Sequence, residues 1–302
     1  MARIRPLGPA DRQQIVTLGA AVERHDGIPA FSEFKAVDMA RRSGMTLGES
    51  DDGMLAAAAH VAWHHGDEVA PGHWAIEVAV HPDRREPAQW SRMVRAAAAA
   101  VPDGSPHVVW SNNQLLADAL ERMDYSASRR LSVMTIELPA QDRMELPVGI
   151  ELREFGPGID EQAWLETNNA AFAGHPENGG VTAADLAVRM KSSWFRPEDL
   201  LMAWDGDQLA GSCWTKRHGD GVGEIYIIGV HPAYQHRGLG RSLVLAGLDH
   251  LATVAGATKG MLYVDRAQAG AYHLYVALGF QEERTIAMFV PPGTGAATHP
   301  NG

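Results

Sequence analysis

The amino-acid sequence predicts a mixed α/β protein, of the α+β type, built as two tandem copies of one domain. Three observations predict it. At 302 residues the chain has room for two cores of ordinary size. A repeat recurs at an offset of about 150 residues, too long for a solenoid and suited to a duplicated domain. The second half runs through antiparallel strand signals into a β-α-β-α-β finish, which makes a mixed sheet.

The repeat is carried by short matches. Ile4-Arg5-Pro6-Leu7-Gly8-Pro9 resembles Leu152-Arg153-Glu154-Phe155-Gly156-Pro157, and Ile76-Glu77-Val78-Ala79-Val80-His81-Pro82 resembles Tyr226-Ile227-Ile228-Gly229-Val230-His231-Pro232. Each half then closes with a helix, an aromatic-ended turn (Met123-Asp124-Tyr125, Leu278-Gly279-Phe280) and a last strand. A polar segment bracketed by Pro139 and Pro147, after a strand at 131–138, marks the boundary. The expected domains are therefore 1–140 and 148–291, with a Pro/Gly/Ala/Thr tail at 292–302 that has nothing to bury and is expected to be disordered.

In the second half, 150–154 reads as a strand, 160–171 as a helix and 172–180 as a loop, and the Thr182 hydroxyl can cap the next helix. Strands at 200–204, 209–216 and 224–230 are rich in β-branched and aromatic residues, with Asp205-Gly206 suited to a hairpin turn. After a glycine-bearing loop come a helix at 239–255, a strand at 260–264, a helix at 269–278 and a strand at 285–290.

Composition narrows the function. With 45% hydrophobic and 21% charged residues, and no apolar run near the ~18 residues of a membrane span, the chain reads as non-membrane. Met1-Ala2-Arg3-Ile4-Arg5-Pro6 lacks the apolar core of a signal peptide, so a cytoplasmic location is expected. A net charge of −11 argues against wholesale nucleic-acid or membrane binding and for small-molecule substrates. The single Cys213 can make no intramolecular disulfide and is expected to be a buried, inert thiol. His60, His64 and His65 lack a converging carboxylate or thiol at ligand spacing, so no metal is expected.

The most informative stretch is Gly229-Val230-His231-Pro232-Ala233-Tyr234-Gln235-His236-Arg237-Gly238-Leu239-Gly240-Arg241-Ser242, a strand end, a turn and a glycine-bearing helix start. Gly238 and Gly240 leave main-chain N–H groups uncovered, so a diphosphate can approach the positive end of the helix, and Arg237 and Arg241 add charge. With the strand before it and the helix and Leu278-Gly279-Phe280 after it, this stretch resembles the GNAT acetyltransferase family. The resemblance implies that Gln235, His236, Arg237, Gly238, Leu239, Gly240 and Arg241 hold the pyrophosphate of acetyl-CoA, the acetyl-donor substrate. It implies a fourth strand that bulges and splays from the fifth, a bulge that Gly229 would tolerate, and N–H groups of Ile228 and Val230 free for the acetyl oxygen. Acyl transfer to an amine needs a base for the ammonium and an acid for the leaving thiolate. Glu224, at the start of the fourth strand, is the candidate base, and Tyr275 matches the tyrosine that GNAT enzymes often present to the CoA sulfur.

A narrower resemblance rests on Asn168-Asn169-Ala170-Ala171-Phe172-Ala173-Gly174-His175-Pro176-Glu177, with Trp194-Phe195, Trp214-Thr215-Lys216 and Gly223-Glu224-Ile225-Tyr226. These are similar to the mycothiol synthase family, two-domain GNAT enzymes of actinobacteria that acetylate the cysteinyl amine of Cys-GlcN-inositol. The resemblance implies that Glu177, Lys216, Glu224 and Tyr263 contact the sugar-inositol acceptor, joined by Glu33 from the N-terminal half. It implies that Gln268 and His273 join Ile228, Gly229 and Val230 around the donor, although Ala267-Gln268 replaces the family's Asp-Asn. In the first half Arg84-Arg85-Glu86-Pro87 replaces the glycine loop, and internal alignment sets Trp74 opposite Glu224 and Leu120 opposite Tyr275. That half is expected to be degenerate, a structural partner and one wall of the acceptor pocket, and the chain is expected to act as a monomer. A GNAT enzyme for another amine, such as an aminoglycoside or a protein N-terminus, is the alternative; a non-catalytic acyl-CoA sensor is the reading from another class.

Overall fold

The computed structural model describes residues 3–32, 35, 39, 43–64, 72–173, 180–219 and 221–293. The chain divides into two compact units, one of Met1–Gly66, Pro71–Arg130 and Thr285–Gly302, the other of Asp67–Ala70 and Leu131–Arg284. The tail from residue 294 lies outside the described residues.

The first unit contains β1 (Ile4–Pro6), α1 (Arg12–Asp26), β2 (Met45–Asp51), β3 (Met54–His64), β4 (His73–Val80), α2 (Pro87–Ala99), β5 (His107–Ser111) and α3 (Gln114–Glu121). β1 to β4 pair antiparallel in chain order and β4 pairs β5 in parallel. α1 stops at Gly27, whose left-handed φ of 69° suits glycine, with Arg24 and His25 in the last turn where cations favour the helix dipole. α1 buries Leu18 and Val22 against Ala58 and Ala79 on one face of the sheet. α2 and α3 cover the other face with Trp90, Met93, Leu116 and Leu120.

The second unit repeats this plan. It contains β7 (Ile150–Glu154), α4 (Glu161–Ala171), α5 (Ala183–Met190), β8 (Leu200–Asp205), β9 (Gln208–Arg217), β10 (Val222–Val230), α6 (Leu239–Thr253), β11 (Lys259–Asp265) and α7 (Ala269–Ala277). β7 to β10 pair antiparallel and β10 pairs β11 in parallel. α5 opens with the expected Thr182 cap, closed into a reciprocal pair by Asp185. Trp164, Leu186, Met202 and Trp214 fill the face under α4 and α5, while Leu243, Leu248, Leu262 and Tyr275 fill the face under α6 and α7.

The last strands depart from a simple head-to-tail repeat. In the expected arrangement each half closes on its own last strand; instead β6 (Ser126–Glu137) and β12 (Gln281–Val290) are exchanged. Residues 131–137 of β6 pair antiparallel with β11 in the second unit, and Ala287–Phe289 of β12 pair antiparallel with β5 in the first. Both bury side chains where they land, Met134 in the second unit's core and Phe289 in the first's.

Two hydrogen bonds show the duplication at atomic scale. Tyr125 N–H donates to Leu120 O and Phe280 N–H donates to Tyr275 O, each at 3.0 Å. Between them lie Asp124 and Gly279, both with positive φ, at 62° and 94°. Leu120 therefore stands where Tyr275 stands, as the sequence alignment expects.

Candidate active site

β10 runs in step with β9 from Gly223 opposite Arg217 to Ile225 opposite Thr215, then slips by one residue, so that Ile227 opposes Trp214. Tyr226 is the extra residue. The bulge expected at Gly229 thus lies three residues earlier, and Gly229 serves a different need: a Cβ there would come within 3.1 Å of Ala171 and 3.2 Å of Phe172. The bulge reverses the alternation of the strand. Ile225, Ile228 and Val230 pack towards α6, whereas Tyr226 and Ile227 pack towards α4 and α5.

The parallel ladder between β10 and β11 ends at Ile225 opposite Leu262. Beyond it the strands part. His231 N–H donates to Ala210 O of β9, and main-chain groups alternate sides along a strand, so the N–H groups of Ile228 and Val230 face the open side. The Gln235 amide donates to Val230 O there at 3.2 Å, so this side chain caps the strand end and leaves only its main chain to the loop.

The loop is open to solvent. Gln235, His236, Arg237 and Gly238 are exposed, and Leu239 anchors the helix start in the core at 2% exposure, so its main chain alone can face a ligand. Gly238 is the N-cap of α6 with φ of 84°, a left-handed conformation that L side chains resist, and open space surrounds it. His236 also has positive φ. Arg237 stacks over the Tyr234 ring at 5.4 Å, while Arg241 is held by Asp142 at 2.5 Å, which offsets its charge. Gln268 at the start of α7 and His273 within it are exposed.

Lys216, Glu224 and Met261 form a row across β9, β10 and β11, and Tyr263, two residues along β11, lies on the same face. The Glu224 side chain is 8% exposed and meets His218 Nε2 at 2.6 Å. Lys216 holds its ammonium over Trp194 at 4.6 Å and Tyr226 at 5.3 Å. Tyr263 is 42% exposed. Glu33 and Glu177 lie outside the described residues.

Tyr275 projects from α7 into the core on the α6 side, against Phe280. Burial, with the Cys213 thiol close by, pushes its phenol well above the ordinary range. Cys213 is fully buried, and burial pushes its thiol up to about 12, as an inert thiol requires.

The first unit lacks this constellation. β4 pairs β3 without a slip from His73 to Val80, so counting back from Val80, the counterpart of Val230, sets Ala75 against Glu224. The expected Trp74 is displaced by one because β4 has no bulge residue, and Ala75 is fully buried. Arg85 fills the place of Gln235, donating to Val80 O at 3.2 Å and to Asp26 at 2.7 and 2.6 Å. His60 and His64, weighed as metal ligands, meet Thr46 and Lys35. The sequence reading overlooked His218; its signal was a histidine shortly before Glu224, next to a glycine-rich stretch of sequence.

The acetyltransferase (GNAT) family model matches residues 164–280. The mycothiol acetyltransferase of Thermomonospora curvata is 36% identical over 92% of this chain and 93% of its own. That of Pseudarthrobacter chlorophenolicus is 37% identical over 95% of each. Among solved structures, an N-acetyltransferase of Sphaerobacter thermophilus superposes with a TM-score of 0.69 at 23% identity, covering 95% of this chain and 94% of that one. A tandem GNAT protein from the clavulanic acid biosynthesis pathway superposes with a TM-score of 0.68 at 15% identity, covering 96% and 98%. The fold is that of two tandem GNAT domains.

Proposed function

This chain belongs to the mycothiol acetyltransferase family of GNAT N-acetyltransferases, and from that premise we propose that its second unit acetylates the cysteinyl amine of Cys-GlcN-inositol. The observation that carries the reading is the buried Glu224, on one face with Lys216 and Tyr263 and beside the splay of β10 from β11.

The residues fit acetyl-CoA as donor: an exposed loop, a left-handed Gly238 with open space around it and two released N–H groups in line with it. Acetyl-CoA supplies an activated thioester carbonyl. Gly238, Gly240 and the loop from Gln235 to Arg241 cradle its diphosphate, with Arg237 as the nearby charge and Gln268 and His273 at the side. The N–H groups of Ile228 and Val230, on either side of Gly229, hold the acetyl oxygen and stabilise the negative charge that develops there. Glu224 takes the ammonium proton, directly or through a water, and Tyr275 gives its own to the leaving sulfur. Burial keeps the phenol protonated at neutral pH, the form an acid starts from, while making it a weaker donor.

Lys216 and Tyr263 would orient the sugar-inositol part, with Glu177 as a further contact, since a polyhydroxylated acceptor is selected by polar groups that penalise a wrong ligand. The first unit, with Ala75 and Leu120 in place of base and acid, has a structural role. The protein works in the cytoplasm as a monomer. Release of CoA thiol, measured with Cys-GlcN-inositol beside a panel of aminoglycosides and peptide N-termini, tests this. Turnover confined to the cysteinyl substrate is expected; turnover only on another amine would discard the acceptor, and silence on all would discard the enzyme.

A further inference from the structure

When an ammonium is acetylated by a thioester, the nitrogen gives up two protons and the sulfur takes up one. One proton must therefore reach solvent in every turnover. Glu224 is badly placed to release it, because its side chain is 8% exposed. His218 is better placed. Its side chain is 37% exposed, its Nε2 lies 2.6 Å from Glu224 Oε2, and its main-chain N–H donates to Val222 O at 2.9 Å, which anchors the backbone at the strand mouth. Two lysines among the described residues of this face are engaged elsewhere. Lys216 of β9, directly opposite Glu224, lies over Trp194 and Tyr226, and Lys259 of β11 is held by Glu283 of β12 at 2.5 Å.

We infer that His218 is the positioning and proton-carrying partner of Glu224, orienting the carboxylate and passing the amine proton from it to water. This rests on Glu224 being the base. Glu224 takes the proton from the substrate nitrogen and hands it to Nε2 of the Nδ1–H imidazole; Nδ1 then releases its own proton to solvent, and tautomeric exchange through water restores the Nδ1–H form beside the carboxylate. The imidazole enters and leaves the cycle unchanged, and no bond other than N–H and O–H is involved.

Steady-state kinetics of the full chain test this with His218→Gln and His218→Ala, beside Glu224→Gln. Glutamine can still donate to Glu224 but cannot carry a proton onward. His218→Gln should lower kcat roughly 100-fold with KM for both substrates unchanged. In His218→Ala, kcat should rise with the concentration of imidazole in the buffer, whereas His218→Gln, whose side chain fills the space, should not respond. Wild-type kcat in His218→Gln across the neutral range would overturn the relay. So would equal losses in both variants that imidazole does not restore, because that is the mark of a purely structural histidine. The two readings separate cleanly: an active Glu224→Gln removes the base itself, while an inactive Glu224→Gln beside an active His218→Gln removes only the relay.

Discussion

The chemistry proposed for this protein rests on a few side chains whose surroundings differ sharply. Glu224 is nearly covered yet hydrogen-bonded, and Tyr275 is packed in a core that keeps its phenol neutral. Glu224→Gln is expected to lower kcat by ~100- to 10,000-fold, with acetyl-CoA affinity almost unchanged when measured by calorimetry. Tyr275→Phe removes one oxygen and no packing volume, so kcat should fall while the thermal midpoint holds. Cys213 gives a pH prediction of its own. Its thiol ionises at 9.0 when unperturbed but only at about 12 in the fold, so the unfolded chain loses that proton first. The stability this represents is complete below the unfolded value and is lost as pH rises from there towards the folded one. Denaturation midpoints should decline through that window in the native protein and decline less steeply in Cys213→Ala.

At the scale of elements, α6 is the part that everything else is measured against. It is buried along nearly its whole length, and it lies so close to the sheet that a Cβ on Gly247 would meet Cys213 Sγ and Ile225 Cδ1 at 2.6 Å. Gly247→Ala should therefore cost ~1–3 kcal/mol in chemical denaturation, since the neighbours in a filled core have little room to yield. Gly238, at the start of the same helix, has open space around it, so substitution there acts through φ and charge. Gly238→Asp sets a carboxylate at the proposed diphosphate site and should raise KM for acetyl-CoA far more than it lowers stability. On the other face, Thr182→Ala removes the hydroxyl that accepts from Asp185 N–H, leaving only the main-chain bond from Thr182 N–H to Asp185 Oδ2, and should cost ~1 kcal/mol.

At the scale of the whole molecule, the exchange of β6 and β12 ties the integrity of the first unit to the chain's C-terminal strand. Ala287 and Phe289 are buried in the first unit's core, so ending the chain after Arg284 should unfold that unit, read as lost near-ultraviolet dichroism; the milder Phe289→Ala should cost ~3–5 kcal/mol. The tandem α/β architecture, the helix and strand order, the Thr182 cap, the glycine-bearing loop before a helix and the pairing of Leu120 with Tyr275 were all legible in the sequence. Each is written in local pattern: a period, a turn residue or a repeated hydrogen-bonding tripeptide fixes it without reference to distant residues. The family resemblance named Glu224, Lys216 and Tyr263 together, and the sheet sets them on one face. Three features were beyond a linear reading. The bulge at Tyr226 depends on how many residues of β10 oppose β9, which no single strand records, and it is what moved the counterpart of Glu224 from Trp74 to Ala75. The contact of His218 with Glu224 depends on the turn between β9 and β10 folding the imidazole back over the carboxylate. The exchange of last strands depends on which open sheet edge each strand meets, a choice made between partners about 150 residues apart that present nearly the same pattern, so only the tertiary structure decides it.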